Sequence, residues 1–285
     1  MTFYPKLSVS FEFFPPATEK SNLALWEAIE KLAPLNPNFI SVTYGAGGST
    51  RERTHQTLEK IIQTTNLKPA AHLTCVSASK DDVNAVIESY YKIGVRHIVA
   101  LRGDMPEGIS TPFKPHPQGY QSSIDLVKGI KNIASDIDIT VSSYPEKHPN
   151  SPSWDTEIDF LKQKIDAGAT RAITQFFFHN DLFEAYLDRV RAAGIMIDII
   201  PGIVPITNFE QTKKFALKTG ASIPKSLERR FAGLENDPQT RHLIGMTHAL
   251  EQIQDLQKRG IDIVHFYTMN KAELVFALCH ALGIR

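Results

Sequence analysis

The chain predicts a single (β/α)8 TIM barrel of the α/β class, and three observations carry that reading. Short apolar runs alternate with longer amphipathic stretches from one end to the other. Eight such runs occur, and eight is the number of parallel strands that closes a barrel. No linker, low-complexity segment, internal repeat or break in composition divides the 285 residues, a length that suits one large domain. A doubly wound open sheet is the competing topology. The unbroken composition favours the closed one.

The first strand is expected at Ser8–Phe14, stopped by Pro15 and Pro16. The others fall at Phe39–Thr43, Ala70–Thr74, His97–Leu101, Ile137–Ser143, Ala172–Phe176, Asp198–Pro201 and Ile263–Tyr267. Helices belong between them. In Asn22–Leu32, the residues Leu23, Trp26, Ile29 and Leu32 recur at helical spacing. In Glu157–Ala167, Ile158, Leu161 and Ile165 do the same, and Gly168 supplies the stop. The strings YKIGV (91–95) and DAGAT (166–170) read as helix ends turning into strands. Asn208 is a credible cap for the helix after strand seven. The span between strands seven and eight is too long for one helix. It is expected to hold an extra helix at Lys225–Phe231 and a long one at Thr240–Lys258.

Acidic and basic residues balance at 31 each, so the chain lacks the basic footprint of a nucleic-acid or membrane-surface binder. Two cysteines, Cys75 and Cys279, do not make a disulfide framework and suit a reducing cytoplasm. The first residues lack the basic-then-apolar order of a signal peptide. No apolar stretch approaches the roughly 20 residues needed to span a bilayer. HxH, HExxH and CxxC spacings are absent, so no metal site is expected.

In a barrel the chemistry sits at the C-terminal ends of the strands. Strand one ends near Glu12, flanked in sequence by Phe11, Phe13 and Phe14. Apolar surroundings favour the neutral form of a carboxyl, which is what a general acid needs near pH 7. Strand alternation puts Ser8, Ser10 and Glu12 on one face and Val9, Phe11 and Phe13 on the other. The plain alternative is a strand-end Glu that reaches water. The same rim gathers Thr43 and Tyr44, His72, Arg102 to Asp104, Tyr144, Gln175 and Tyr267.

GAGGST (45–50) follows a strand and precedes a helix, as a dinucleotide fingerprint does, but Thr50 stands where its last glycine belongs. It reads as a loop lying close to a flat or anionic ligand, or as a tight turn capped by Ser49. RGDMP (102–106) opens a long loop to about Tyr120, and long loops in compact domains tend to be functional. Arg102 suits a phosphate and Asp104 a heterocycle; an Arg–Asp pair pinning the loop is the alternative. YPEKHP (144–149) offers a ring and an imidazole. Gln175 carries an amide that suits a pterin-like edge. Gln211 and Phe215, four apart, share a helical face, where core packing is the ordinary role for the ring. Lys213 and Lys214 read as a solvated face.

Taken together, SFEFFPP, SVTYGAGGSTRERT, HLTC, VALRGD, YPEKHP, DAGATRAITQFFF, IIPGIVPITNFEQTKKF and HFYTMNKAE resemble the bacterial-type methylenetetrahydrofolate reductases, in order from residue 8 to residue 283. The resemblance implies a bound FAD without a Rossmann motif, NADH or NADPH as reductant, and 5,10-methylenetetrahydrofolate as substrate. The two substrates would react in ping-pong order, and the product, 5-methyltetrahydrofolate, would supply methyl groups for methionine. It implies Glu12 as the general acid and Asp104 as the acidic residue between flavin and pterin. Thr43, Tyr44, Ala46, His72, Arg102, Gly103, Asp104, Ser123, Tyr144, His148, Glu157 and Lys164 would line the FAD. Gln175, Gln211, Phe215, Tyr267 and Lys271 would meet folate or nicotinamide. Three positions depart from the family pattern. Glu157 stands where relatives often have Asp, Gln163 replaces a common Arg, and Lys271 keeps the charge of an Arg without its fork. The loop between Asp104 and Asp125 is longer than in close relatives. A homo-oligomer, dimer or tetramer, is implied, and no C-terminal regulatory domain is expected. Other functions remain open at this stage: a flavin-free pterin-binding methyltransferase barrel, a non-catalytic flavin or folate carrier, and a metal-dependent hydrolase.

Overall fold

Strand and helix alternate as the periodicity predicts, and the strands close on themselves. The structure is a computed structural model that describes residues 6–45, 49–105, 111 and 113–285. Its strands are β1 (Ser8–Phe13), β2 (Ile40–Val42), β3 (Pro69–Thr74), β4 (His97–Leu101), β5 (Asp138–Ser143), β6 (Arg171–Thr174), β7 (Asp198–Ile200), β8 (Gly202–Ile203) and β9 (Ile263–Tyr267). All pairings among them are parallel, in the order β7-β6-β5-β4-β3-β2-β1-β9-β8. The two ends of that order, β7 and β8, are consecutive pieces of one chain segment, so the backbone itself closes the ring. This excludes the open doubly wound sheet.

The single expected strand at Asp198–Pro201 is therefore two short ones, and Pro201 is the reason. Proline has no N–H to give a ladder. The segment bonds β6 before the proline and β9 after it. Pro201 still offers its carbonyl to His265 N at 2.9 Å. Gly202 turns its N–H to the Thr174 hydroxyl at 2.9 Å. A Cβ at Gly202 would lie 2.3 Å from the Thr174 carbonyl oxygen and 2.6 Å from the Tyr267 ring, so the corner admits only glycine without a shift.

The helices are α1 (Glu19–Leu32), α2 (Arg51–Thr64), α3 (Lys80–Lys92), α4 (Ser123–Ile133), α5 (Trp154–Asp166), α6 (Asn180–Ala192), α7 (Phe209–Thr219), α8 (Lys225–Phe231), α9 (Pro238–Lys258) and α10 (Ala272–Ala281). Most begin on a side-chain cap. Thr18, Ser79, Ser122, Ser153, Asn208 and Asp237 each accept an N–H from three residues on. These caps move α1, α5 and α9 two to three residues earlier than apolar spacing suggests. At α2 the expected Ser49 cap is not used. Thr50 is the N-cap there, and its hydroxyl accepts from Gly45 N at 2.7 Å instead. The apolar faces of the helices and the outward faces of the strands form the main core, with Phe11, Phe13, Leu58, Ile87, Leu126 and Val264 among its members. A second cluster fills the lower interior of the ring, where Phe39, Ala70, Val99, Ile173 and Ile200 meet. Among the described residues, no helix is long and apolar enough to cross a membrane.

Candidate active site

Alternation along β1 sends Phe11 and Phe13, both fully buried, outward into the helix layer. Glu12 points the other way, into the ring. Phe14 does not shield it either, being 38% exposed and held at its backbone by the Asn270 side chain. The aromatic company that the sequence suggests for Glu12 is thus on the wrong face. Its actual neighbours are imidazoles. Glu12 Oε2 lies 3.4 Å from His72 Nε2 and 3.8 Å from His265 Nε2, with the carboxylate side chain 12% exposed. Ser10, one inward position below, sits 2.7 Å from His265 Nδ1. The backbone at Glu12 is fixed by Thr268, whose hydroxyl donates to the Glu12 carbonyl at 2.6 Å.

Below this level the interior stays polar but paired. Phe39 stacks on His265 at 5.6 Å and meets the edge of His97 at 4.8 Å. His97 Nε2 bonds the Thr140 hydroxyl at 2.7 Å. Burial pushes the His97 imidazole down to about 4, and the nearby Asp138 opposes this only partly. Burial also lowers His72, while Glu12 pulls the other way. His72 is accordingly neutral at pH 7, and its contact with Glu12 joins a carboxyl to an uncharged ring.

Tyr267, next to Glu12 in register, donates its hydroxyl to the Thr174 carbonyl at 2.7 Å. Its phenol is pushed well up, by burial first and then by the Glu12 charge. From Tyr267 a run of rings leads outward. Phe176 lies 6.5 Å away edge-on, and Phe215 stacks on Phe176 at 5.1 Å and 22°. Phe215 is 41% exposed, so one of its faces is free for a flat ligand. Gln211 is exposed one turn earlier on α7, its N–H held by the Asn208 cap. Gln175 is half-buried at the end of β6 and lines a narrow cleft with Tyr144, Phe176 and Gly220. Lys271 is exposed, with Nζ 3.5 Å from the Thr207 hydroxyl, so it stands beside the start of α7. Lys213 pairs with Glu210 and Glu228 on the solvent side.

The opposite side of the mouth is cationic. Lys164 on α5 is buried and donates to the Ser142 carbonyl at 2.9 Å. Burial pulls its ammonium down to about 8, against the attraction of Glu157. Glu157 is itself buried and receives His148 N–H at 3.2 Å and the Ser151 hydroxyl. Arg102 lies over the Phe113 ring and has no carboxylate within ion-pair distance among the described residues. Burial lowers His148, and the Arg102 charge lowers both His148 and Lys164 further. Tyr144 meets His148 edge-on at 4.8 Å, and burial raises its phenol. Thr43 and Tyr44 follow β2, and Asp104 follows β4, at this end of the ring. Ser123 is buried in the first turn of α4. Gly103, at φ +84°, brings its backbone against Thr74, where a Cβ would lie 2.9 Å from Thr74 Cβ. Ala46 lies outside the described residues, as do 106–110 and 112 of the long loop.

Such a rim fits an anionic, flat, hydrogen-bonding group. Among the described residues, Glu157 is the buried carboxylate beside Lys164. The buried hydroxyls of Ser41 and Thr74 have no hydrogen-bond partner, and a buried polar atom without one is expensive. Among the described residues, no cluster of three His, Cys, Asp or Glu side chains is placed to hold a metal ion.

Sequence reading put Ser10 on the Glu12 face but missed its partner His265, and it missed Phe176 as part of this surface. The signal for His265 was present: it lies two residues before Tyr267, on the same strand face. Phe176 had none, because FFF gives no way to tell which ring faces α7.

A family model for methylenetetrahydrofolate reductase matches residues 4–283. The 5,10-methylenetetrahydrofolate reductases of Salmonella typhimurium and Escherichia coli are each 45% identical over 280 residues, covering 98% of this chain and 92% of theirs. An Arabidopsis thaliana methylenetetrahydrofolate reductase (NADH) is 31% identical and spans 96% of this chain, which matches 48% of that protein. Among solved structures, a Clostridium thermocellum protein described as binding two copies of 5-methyl-5,6,7,8-tetrahydrofolic acid superposes with a TM-score of 0.66 at 17% identity, over 99% of this chain and 95% of that one. The dihydropteroate synthase of Stenotrophomonas maltophilia superposes at 0.54 and 13% identity, over 98% of this chain and 93% of that one. At those identities the two structures speak for the fold.

Proposed function

The chain belongs to the methylenetetrahydrofolate reductase family, and from that premise we propose that it reduces 5,10-methylenetetrahydrofolate to 5-methyltetrahydrofolate with a bound FAD and NADH or NADPH, in ping-pong order. The product would supply methyl groups for methionine. One observation carries the reading: a carboxyl at the barrel mouth stands between a cationic rim and an aromatic wall, with neutral or unpaired groups beneath it.

When bound, FAD supplies the hydride transfer that links the two substrates. Arg102, Lys164, Tyr144, His148 and Glu157 would hold it, with Thr43, Tyr44, Ala46, His72, Gly103, Asp104 and Ser123 completing the cradle. Arg102 and Lys164 offer the charge a pyrophosphate needs. The open face of Phe215 stacks the flat part of whichever substrate is present, and Gln175 and Gln211 offer amides to its polar edge. Lys271 gives a point charge where a carboxylate tail would pass. Tyr267 packs against the reacting centre.

Glu12 acts on the folate. Its proton goes to a nitrogen of the five-membered ring as the carbon–nitrogen bond to the bridging carbon breaks. The electron pair of that bond stays on the nitrogen, and the carbon is left as an electrophilic iminium ready for hydride. His72, held neutral by burial, keeps a second proton-carrying group beside Glu12 without a competing positive charge. Asp104 at the rim would adjust the flavin and hold the pterin. The described residues would act as one catalytic unit, in a homo-oligomer in the cytoplasm.

The purified protein should show the visible band of an oxidised flavin. Anaerobic addition of NADH or NADPH should bleach it, and methylenetetrahydrofolate should restore it. A colourless protein that refuses added FAD would instead support flavin-free methyl transfer.

A further inference from the structure

We propose that Glu146 is a positioning residue that latches the end of α7 to the loop after β5, and so sets the reach of Gln211 and Phe215 for folate and nicotinamide. This rests on the substrate assignment given above. Both oxygens of the Glu146 carboxylate face Ser222 N–H, at 3.0 and 3.1 Å, across 76 residues of chain. A hydrogen bond to a charged acceptor is among the stronger kinds. Two residues earlier, Gly220 ends α7 with φ +79° and lies against Pro149 of the same loop, where a Cβ would approach Pro149 Cγ to 2.8 Å. Two separate contacts therefore join the same two segments.

The loop is a firm anchor. Lys147 takes φ +66°, a conformation rare for a residue with a side chain, inside a turn closed by Lys147 N to Tyr144 O at 3.0 Å. Buried Glu157 holds His148 and Ser151 on the far side of that turn. The helix buries one narrow face. On α7 only Phe209, Thr212 and Ala216 are buried, while Gln211, Phe215 and Leu217 are exposed. Its buried side packs on Phe176, Phe178, Leu227 and Phe231, its start is capped by Asn208, and its end meets Glu146 and Pro149. The residues that would meet FAD, Tyr144 and His148, bracket Glu146 in sequence. The latch thereby ties the flavin side of the mouth to the substrate side at a fixed spacing. A misplacement of about 1 Å in such a group has large kinetic consequences.

The test uses the full chain with Glu146→Ala, Glu146→Gln and Gly220→Ala. Hydrogen exchange at the Ser222 amide, read without substrate, should quicken about tenfold in Glu146→Ala. KM for the nicotinamide and for methylenetetrahydrofolate should each rise about fivefold, with kcat within about twofold and FAD affinity unchanged. Glu146→Gln keeps a carbonyl acceptor and should recover most of both effects. Gly220→Ala should reproduce the KM rise. Unchanged KM values in Glu146→Ala, with or without faster exchange, overturn the proposal. So does lost FAD affinity as the sole effect. If the unaltered chain takes neither FAD nor folate, the proposed function fails instead, and the exchange data still report on the latch.

Discussion

Replacing Glu12 by Gln removes one proton and almost nothing else. The amide has the volume of the carboxyl, and the strand beneath it stays fixed by the 2.6 Å bond from Thr268 to the Glu12 carbonyl. His72 and His265 lie 3.4 and 3.8 Å from the carboxyl oxygen, and an amide oxygen can keep either contact. The cradle made by Arg102, Lys164, Tyr144 and His148 stands on the other side of the mouth. Flavin binding and its reduction by NADH should therefore stay within about twofold of the unaltered protein, since no interaction made in that step is removed. Folate reduction should fall by about 10²–10⁴, the usual contribution of a general acid, which is about 3–5 kcal/mol of barrel-mouth catalysis. Anaerobic stopped-flow spectroscopy separates the two steps, because bleaching reports the first and return of colour the second. A folate step within about threefold of normal would show that Glu12 is not the acid. Equal losses in both steps would show that it holds structure rather than delivers a proton.

Three further outcomes follow from the same geometry. Lys164 is held near 8 before an anion arrives, so FAD affinity should weaken as pH rises through that value; titration calorimetry at pH 7 to 9.5 in buffers of differing ionisation heat should also show proton uptake on binding above about pH 8. His97 is held at about 4 in the folded chain and titrates near 6.5 when free. Its contribution to stability is therefore full above 6.5 and lost as pH falls toward 4, a drain of about 2 kcal/mol between pH 7.5 and 5; urea unfolding should show it, and His97→Gln should flatten the slope. Gly202→Ala puts a Cβ against the Thr174 carbonyl and the Tyr267 ring and should destabilise by about 2 kcal/mol, seen as a lower thermal midpoint; a midpoint within 1 °C of normal, roughly the change that a few tenths of a kcal/mol would make, would show that the corner relaxes freely.

The barrel was legible because its signals are local and repeat. Each strand is a short apolar run, each helix an amphipathic one, and their count meets the number that closes. What escaped were features that depend on partners far along the chain. Helix starts were set by Thr18, Ser153 and Asp237, small polar residues ahead of the apolar spacing that defines a helix in sequence. Strand seven divides because β6 and β9 pull on either side of Pro201, and neither neighbour is visible from the string DIIPGI. α10 went unassigned because its residues are apolar nearly all round, which leaves no face for periodicity to find.

The candidate site divides along the same line. Alternation correctly put Glu12 on the inner face of β1, yet the apolar company credited to it was on the outer one. The sequence neighbours of a strand residue are, by geometry, the residues it does not touch. Its real partners come from register: Tyr267 and, two positions lower, the Ser10–His265 pair across β1 and β9, and His72 from β3. A carboxyl among imidazoles is a different acid from one among phenyl rings. Phenyl rings only disfavour the charge, whereas an imidazole can also pass a proton to or from the group beside it. A barrel interior carrying Ser10, His72, His97, Thr140 and His265 forgoes apolar packing that Val or Ile would provide. Among the described residues, Ser10 pairs with His265 and His97 with Thr140, while His72 Nε2 and His265 Nε2 beside Glu12, and the hydroxyls of Ser41 and Thr74, have no hydrogen-bond partner. Among the described residues, the inward-facing groups of the ring that lack a partner lie toward Glu12, where a ligand can satisfy them, which is the physical reason to place the chemistry there rather than at the base.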